Sequence, residues 1–273
     1  MPESTLDKLE HGTIRVGFQR HTPPFSYASG DSFAPIGYSV ALFEQILERI
    51  RGRLGLGHVE VIPVEVTSAT RLDLLERGFI DIECGSTTIT AERQKSALFS
   101  RPIFHTSHRI LTRDAMDSSQ LASSGMIVVT GIESSTSHAA LLAEPSLPFR
   151  FKFSGCPDIF SAFERFRNDH RTHAMVADEV ILRSLLARSG AAGQQLLPNC
   201  LGGECYGFLM RKDDAAFRTL VDEELDAFFN GPGFAPLYEA WFIRELPDLG
   251  FSLDLSMSEA LLNMVRTRAA SAR

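Results

Sequence analysis

Cysteine is scarce in this sequence, tryptophan almost absent, and no apolar run is long. Four cysteines in 273 residues are too few to staple a disulfide scaffold. No stretch reaches the ~18 apolar residues that a membrane-spanning helix requires. Positive charge is also in deficit, with 27 Lys and Arg against 34 Asp and Glu. A net charge of −7 without a clustered basic stripe excludes a nucleic-acid surface, so no nucleic-acid partner is expected. The small group Arg49, Arg51 and Arg53 falls at the end of a predicted helix, where cations complement the helix dipole. The beginning, Met1-Pro2-Glu3-Ser4, has neither the basic nor the apolar segment of a signal peptide. The chain is therefore expected either to be cytosolic or to be numbered from a point after a removed leader.

Catalytic signatures are missing too. There is no P-loop, no G-x-S-x-G and no H-E-x-x-H, and Gly55-Leu56-Gly57 lacks the third glycine of a dinucleotide fingerprint. His105/His108 and His170/His173 are spaced i, i+3, but no carboxylate or third ligand stands beside either pair in the sequence to make a metal site. The pair Asp213/Asp214 precedes a helical pattern, where carboxylates cap. No cofactor is expected, and the chain is not expected to be an enzyme.

What is present is an α/β rhythm. Ile14, Val16 and Phe18 alternate as a strand, and Val40, Phe43, Ile46, Leu47 and Ile50 share a helical face. Residues 59–66 read as a second strand, with Pro63 marking an edge or an irregularity. A short helix over 70–77 stops at Gly78, and a strand through Phe79, Ile80, Ile82 and Cys84 follows. After a polar, low-order stretch at 114–124 the rhythm resumes, with strands predicted at 126–130, 149–153 and 174–177. A helix carries Phe160, Phe163 and Phe166 on one face, and the C-terminal part is helical. Extended connectors over 108–113 and 206–211 divide the chain. This order predicts two α/β lobes with parallel sheets and a cleft between them, small ligands being bound beyond the strand ends.

Chemistry concentrates in Glu83-Cys84-Gly85-Ser86-Thr87-Thr88-Ile89-Thr90-Ala91-Glu92-Arg93-Gln94-Lys95. A strand, a glycine and a run of hydroxyls lead into a helix expected from Thr90. Gly85 admits close backbone approach, Ser86, Thr87 and Thr88 supply donors, and a helix start attracts anions. Arg93 is placed to clamp a carboxylate. An ordinary strand–turn–helix connection with an exposed Arg is the alternative. Cys84 reads as a small buried hydrophobe. Cys200 and Cys205 are close enough in sequence to bridge the loop between them, and equally able to remain apart.

With these residues in view, the chain resembles the family 3 extracellular solute-binding proteins of bacterial ABC importers, above all the glutamate/aspartate-binding branch. The resemblance runs through Gly78 to Ser100 and is supported by Pro24-Phe25-Ser26-Tyr27, Gly37-Tyr38-Ser39, Thr67-Ser68 with Arg71, and Tyr206-Gly207 leading to Arg211-Lys212-Asp213-Asp214. It implies a type II periplasmic binding fold. Residues 1–110 with 209–273 would form one lobe and 111–208 the other, closing about two hinge strands on one amino acid. It also implies a monomer in the periplasm, its leader absent from this numbering, that passes its ligand to importer membrane subunits.

By the same resemblance, Arg93 and Thr88 hold the ligand α-carboxylate, helped by Thr136 with Ser135 beside it. Ser86 and Asp178 bind the α-ammonium, with Thr87 between the two sets. Asp178 also suits an N-cap of the following helix. Arg71 would reach a distal carboxylate, and its alternative is an exposed helix cation. Gln19 and Cys156 stand where the acidic-amino-acid branch has Arg and His. Gln19 therefore leaves two side-chain classes open, the acids and the amides glutamine and asparagine. Arg20 is a possible replacement donor only if the strand ends at Gln19. Two other readings share the fold: an enzyme resembling cyclohexadienyl dehydratases, with Glu83 or Glu179 as acid, and a ligand-sensing module.

Overall fold

A helix that begins on an obligatory glycine shows how tightly the first part of the chain is specified. The computed structural model describes residues 3–28, 30, 33–113, 116–190, 193–198 and 201–271. The helix Tyr38–Leu54 buries Val40, Leu42, Phe43, Ile46, Leu47 and Ile50, the set that recurs every three to four residues. At its Gly37 cap φ is 139°, and a Cβ would lie 2.3 Å from the Phe25 carbonyl oxygen. Only glycine fits there. Phe25 in turn anchors an aromatic group, with ring centroids 5.0 Å from Phe104 and 5.2 Å from Tyr206.

The chain divides into two compact units, Met1–His105 with Cys205–Arg273, and Thr106–Glu204. It passes between them inside the strands Phe104–Thr112 and Gly203–Tyr206. In the discontinuous unit the sheet order is Glu60–Glu65, Thr13–Phe18, Ile82–Glu83, Leu209–Arg211, Ala97–Phe99. The first three strands are parallel, and Leu209–Arg211 runs antiparallel to both its neighbours. Pro63 lies in the outermost strand, where a missing N–H is tolerated. The short strand Ile82–Glu83 lies centrally, so Asp81, Ile82, Glu83 and Cys84 are all fully buried. Asp81 is compensated by Lys8 Nζ at 2.5 Å and the Arg15 N–H at 2.9 Å.

In the continuous unit the sheet order is Gln195–Leu196, Phe104–Thr112, Ala174–Asp178, Met126–Ile132, Arg150–Cys156, with Gly203–Tyr206 also paired to Phe104–Thr112. Successive side chains of Ala174–Asp178 alternate between two cores. Ala174 and Val176 join Ile110, Ile127, Val129 and Leu141, whereas Met175 and Ala177 join Leu111, Cys156, Phe163, Phe166 and Leu182. That is the period of two expected of a strand covered on both faces.

Several expectations are corrected. The helix expected from Thr90 is a single 3-10 turn, Arg93–Lys95. The Thr90 hydroxyl accepts the Arg93 N–H, and the chain must turn back at once into the strand Ala97–Phe99. The supposedly low-order stretch contains the helix Ser118–Ser123, whose Asp117 and Gln120 form a reciprocal capping box. The two connectors are extended, as expected, and lie in Phe104–Thr112 and in Gly203–Tyr206 with Leu209–Arg211. Asp214 precedes Ala215–Phe229 without capping it, and its carboxylate accepts the Thr5 N–H at 3.0 Å. The proposed Cys200–Cys205 bridge involves Cys200, which lies outside the described residues.

Candidate functional site

In the discontinuous unit, the ends of two parallel strands and the turn after them bring together Gln19, Ser86, Thr87, Thr88 and Arg93, with Arg71 at the start of the helix Arg71–Glu76. Gln19, Thr87 and Arg93 are held by specific contacts. The Gln19 carbonyl accepts the Ser26 hydroxyl at 2.6 Å, and its side-chain Oε1 faces Ser86 Oγ at 3.5 Å. Thr87 Oγ1 donates to Glu83 Oε2 at 2.6 Å, while its carbonyl accepts the Gly207 N–H at 3.0 Å. Arg93 Nη1 donates to the Thr88 carbonyl at 2.8 Å, which fixes the guanidinium beside the hydroxyl run. Gly85 leaves room for the side chains packed around it. A Cβ there would fall 2.4 Å from Glu83 Oε1 and 3.1 Å from Gln19 Oε1.

Arg71 is buried at 5% exposure, which excludes the exposed-cation alternative. Its Nε has no hydrogen-bond acceptor, and neither has Glu83 Oε1 a donor. Burial raises the Glu83 pKa, and Arg71, Thr87 and Arg93 pull it partly back. Glu83 is thus a buried acid beneath the turn, near Arg71 and Arg93, whereas the sequence raised it only as the acid of the alternative enzyme. Its signal was available: in a strand buried on both faces, an acid must meet a cation or a hydroxyl. Burial and the Glu83 charge together push the Cys84 thiol well up, so it is an inert core group. Arg20 does not join this set. Its Nε donates to Glu65 at 2.9 Å and its guanidinium covers the Phe33 ring.

The continuous unit carries the remaining candidates. Ser135 caps the helix Thr136–Ala143 by accepting the His138 N–H at 3.1 Å, so Thr136 is its first helical residue. Asp178 ends the strand Ala174–Asp178 and precedes Glu179–Ser189 without a side-chain capping bond. Its Oδ1 meets His108 Nδ1 at 2.9 Å and the Ser137 hydroxyl at 2.9 Å. His108 Nε2 meets Glu204 Oε2 at 3.1 Å. The strand pairing places His108 directly opposite Asp178. The sequence had put no carboxylate beside His108, and pairing across strands supplies two. Their ligand-type atoms lie within 4.8 Å of one another, but at hydrogen-bond distances with one carboxylate on each ring nitrogen. Cys156 is placed apart from this group. It is 2% exposed in the apolar cluster, with Sγ 3.5 Å from Thr130 Oγ1.

In the discontinuous unit Arg71 and Arg93 lie near Glu83 and a run of hydroxyls, a donor set that suits an anionic group; in the continuous unit the strand-end carboxylate of Asp178 suits a cationic one. The family described as bacterial extracellular solute-binding proteins, family 3, matches residues 14–244. An L-glutamate/L-aspartate-binding protein of Pseudomonas aeruginosa is 31% identical over 270 residues, covering 96% of this chain and 87% of that protein. A glutamate/aspartate import solute-binding protein of Escherichia coli is 28% identical, covering 94% of this chain and 86% of its own. Among solved structures, an ancestral amino-acid-binding protein that is a precursor of cyclohexadienyl dehydratase has a TM-score of 0.70 at 26% identity, covering 88% and 99%. The α/β architecture with two sheet-containing units is the type II periplasmic binding fold.

Proposed function

The chain belongs to the bacterial extracellular solute-binding proteins, family 3, and from that premise we propose that it captures a polar or acidic amino acid for an ABC-type importer. Arg93 and Thr88 take the α-carboxylate, with Ser135 and Thr136 contributing donors from the second unit. Ser86 and Asp178 take the α-ammonium, and Thr87 holds the turn that presents the hydroxyls. Gln19 and Arg71 face the ligand side chain, Arg71 favouring an acid and Gln19 an amide. The observation carrying this reading is the set Ser86, Thr88 and Arg93 on one turn, with the Arg93 guanidinium fixed on the Thr88 carbonyl at 2.8 Å. The protein would act as a monomer outside the inner membrane and deliver its ligand to importer membrane subunits.

A thermal-shift screen of the twenty amino acids and small dicarboxylates tests it. One of glutamate, aspartate, glutamine or asparagine is expected to raise Tm, because a ligand that binds only the folded state stabilises it. No shift at millimolar concentration would count against the reading. The dehydratase alternative, raised by the resemblance to a dehydratase precursor, needs an acid within reach of substrate. Glu83 has no exposure, and Glu179 is held by Arg109 at 3.1 Å and Arg183 at 2.8 Å. Turnover of prephenate by the purified protein would reverse this preference.

A further inference from the structure

Asp178 does not stand alone at its strand end. His108 lies between two carboxylates, with Nδ1 2.9 Å from Asp178 Oδ1 and Nε2 3.1 Å from Glu204 Oε2. A neutral imidazole has one N–H and one lone pair, so one of these contacts would set a lone pair against an anionic oxygen. With both carboxylates ionised, both contacts are satisfied together only when the ring carries two N–H groups. The ring is 7% exposed and the two carboxylates are 15% and 7% exposed, so water does not relieve the mismatch. Ser137, on the helix Thr136–Ala143, donates to the same Asp178 oxygen and lies 3.0 Å from His108 Nδ1. The neighbouring charges point elsewhere: Arg109 and Ser107 both bond to Glu179, which also pairs with Arg183. Among the described residues, the side chains bonded to the ring are Asp178 from one strand, Glu204 from another and the uncharged Ser137 from the helix.

We propose that His108 is a positioning residue for the amino-acid ammonium: as an imidazolium it bridges Asp178 and Glu204 and fixes the Asp178 carboxylate. The inference rests on the reading of Asp178 under Proposed function. Burial by itself lowers the His108 pKa, but the hydrogen bonds and charges of Asp178 and Glu204 outweigh it and push it up to about 10. The bridge therefore persists across neutral pH. Without the imidazolium, two nearby buried carboxylates would share a proton, as like charges do. Ammonium binding would then compete with that proton. A metal ion would need both carboxylates to converge on one ring nitrogen's lone pair, whereas here they lie on different nitrogens.

The test uses the full chain. Nitrogen NMR of labelled histidine in the ligand-free protein at about pH 8 is expected to show both His108 ring nitrogens protonated. A neutral tautomer, or zinc chloride at micromolar concentration shifting the ring signals, overturns the bridge. Calorimetry with L-glutamate, L-glutamine and L-arginine then compares wild type, His108→Gln and the double variant His108→Gln/Glu204→Gln. For whichever of the three binds, wild-type affinity is expected to stay level from about pH 5.5 to 8. For His108→Gln it is expected to fall about tenfold or more over the same descent, as Asp178 takes the proton. The double variant has lost one anion and one cation, so its profile is expected to be level again. A His108→Gln profile as level as wild type, or a double variant as pH-sensitive as the single, overturns the proposal. If none of the three binds wild type, the reading under Proposed function falls and the ammonium role with it, while the NMR result still decides the bridge.

Discussion

Arg93 presents its guanidinium beside the Ser86–Thr88 hydroxyls, and removing it removes charge and geometry together. Arg93→Ala is expected to weaken amino-acid binding by roughly a hundredfold or more, since two charged hydrogen bonds contribute about 3 kcal/mol or more. Calorimetry against the ligand identified by thermal shift measures this. Gln19 is the contrasting case. Its carbonyl is pinned by Ser26 and its amide oxygen faces Ser86, so its side chain offers a neutral group. Gln19→Arg is expected to shift the ligand ranking toward glutamate or aspartate by about tenfold, the gap between a charged and a neutral hydrogen bond. An unchanged ranking would remove Gln19 from the side-chain subsite. Cys156, with no disulfide and packed in the apolar cluster, is expected to matter for stability.

At the scale of elements, residues 117–120 and Gly37 carry specific loads. Asp117 accepts the Ser119 and Gln120 N–H groups at 2.9 Å, satisfying donors that a helix start leaves unpaired. Asp117→Ala is expected to lower unfolding free energy by about 0.5–2 kcal/mol, read from urea denaturation. The capping pattern D-x-x-Q was legible in the sequence, but the surrounding run of small polar residues reads equally as loop. Thr90 misled in the opposite direction. The segment after it has helical composition, yet the hydroxyl of Thr90 and the need to pair Ala97–Phe99 with Leu209–Arg211 leave room for one turn only. A strand more than a hundred residues later decides that, and no local pattern contains it.

For the molecule as a whole, pH acts through His108. The pKa is 6.5 without the fold and about 10 within it. A group whose folded pKa is raised stabilises fully below its unfolded value, and that stabilisation is lost as pH rises through the folded value. His108 therefore supports the fold at pH 6, less at pH 8, and little above about pH 10. Urea denaturation of wild type and His108→Gln should show a stability difference that is largest near pH 6 and shrinks toward pH 10. A difference that grows with pH would contradict the bridged imidazolium.

Local pattern alone determined the alternating strands, the apolar faces of Tyr38–Leu54 and Ile159–Asn168, and the small-residue turn with Arg93, because side-chain period and backbone chemistry are short-range properties. Tertiary structure decided the rest. It buried Arg71 and Glu83 together beneath that turn, set Gln19 against Ser86, and turned an apparently isolated His108 into the partner of Asp178 and Glu204. These groups are 12 to 96 residues apart in the chain. Charges so distant become neighbours only when strand pairing fixes their register, and only burial makes their pairing obligatory.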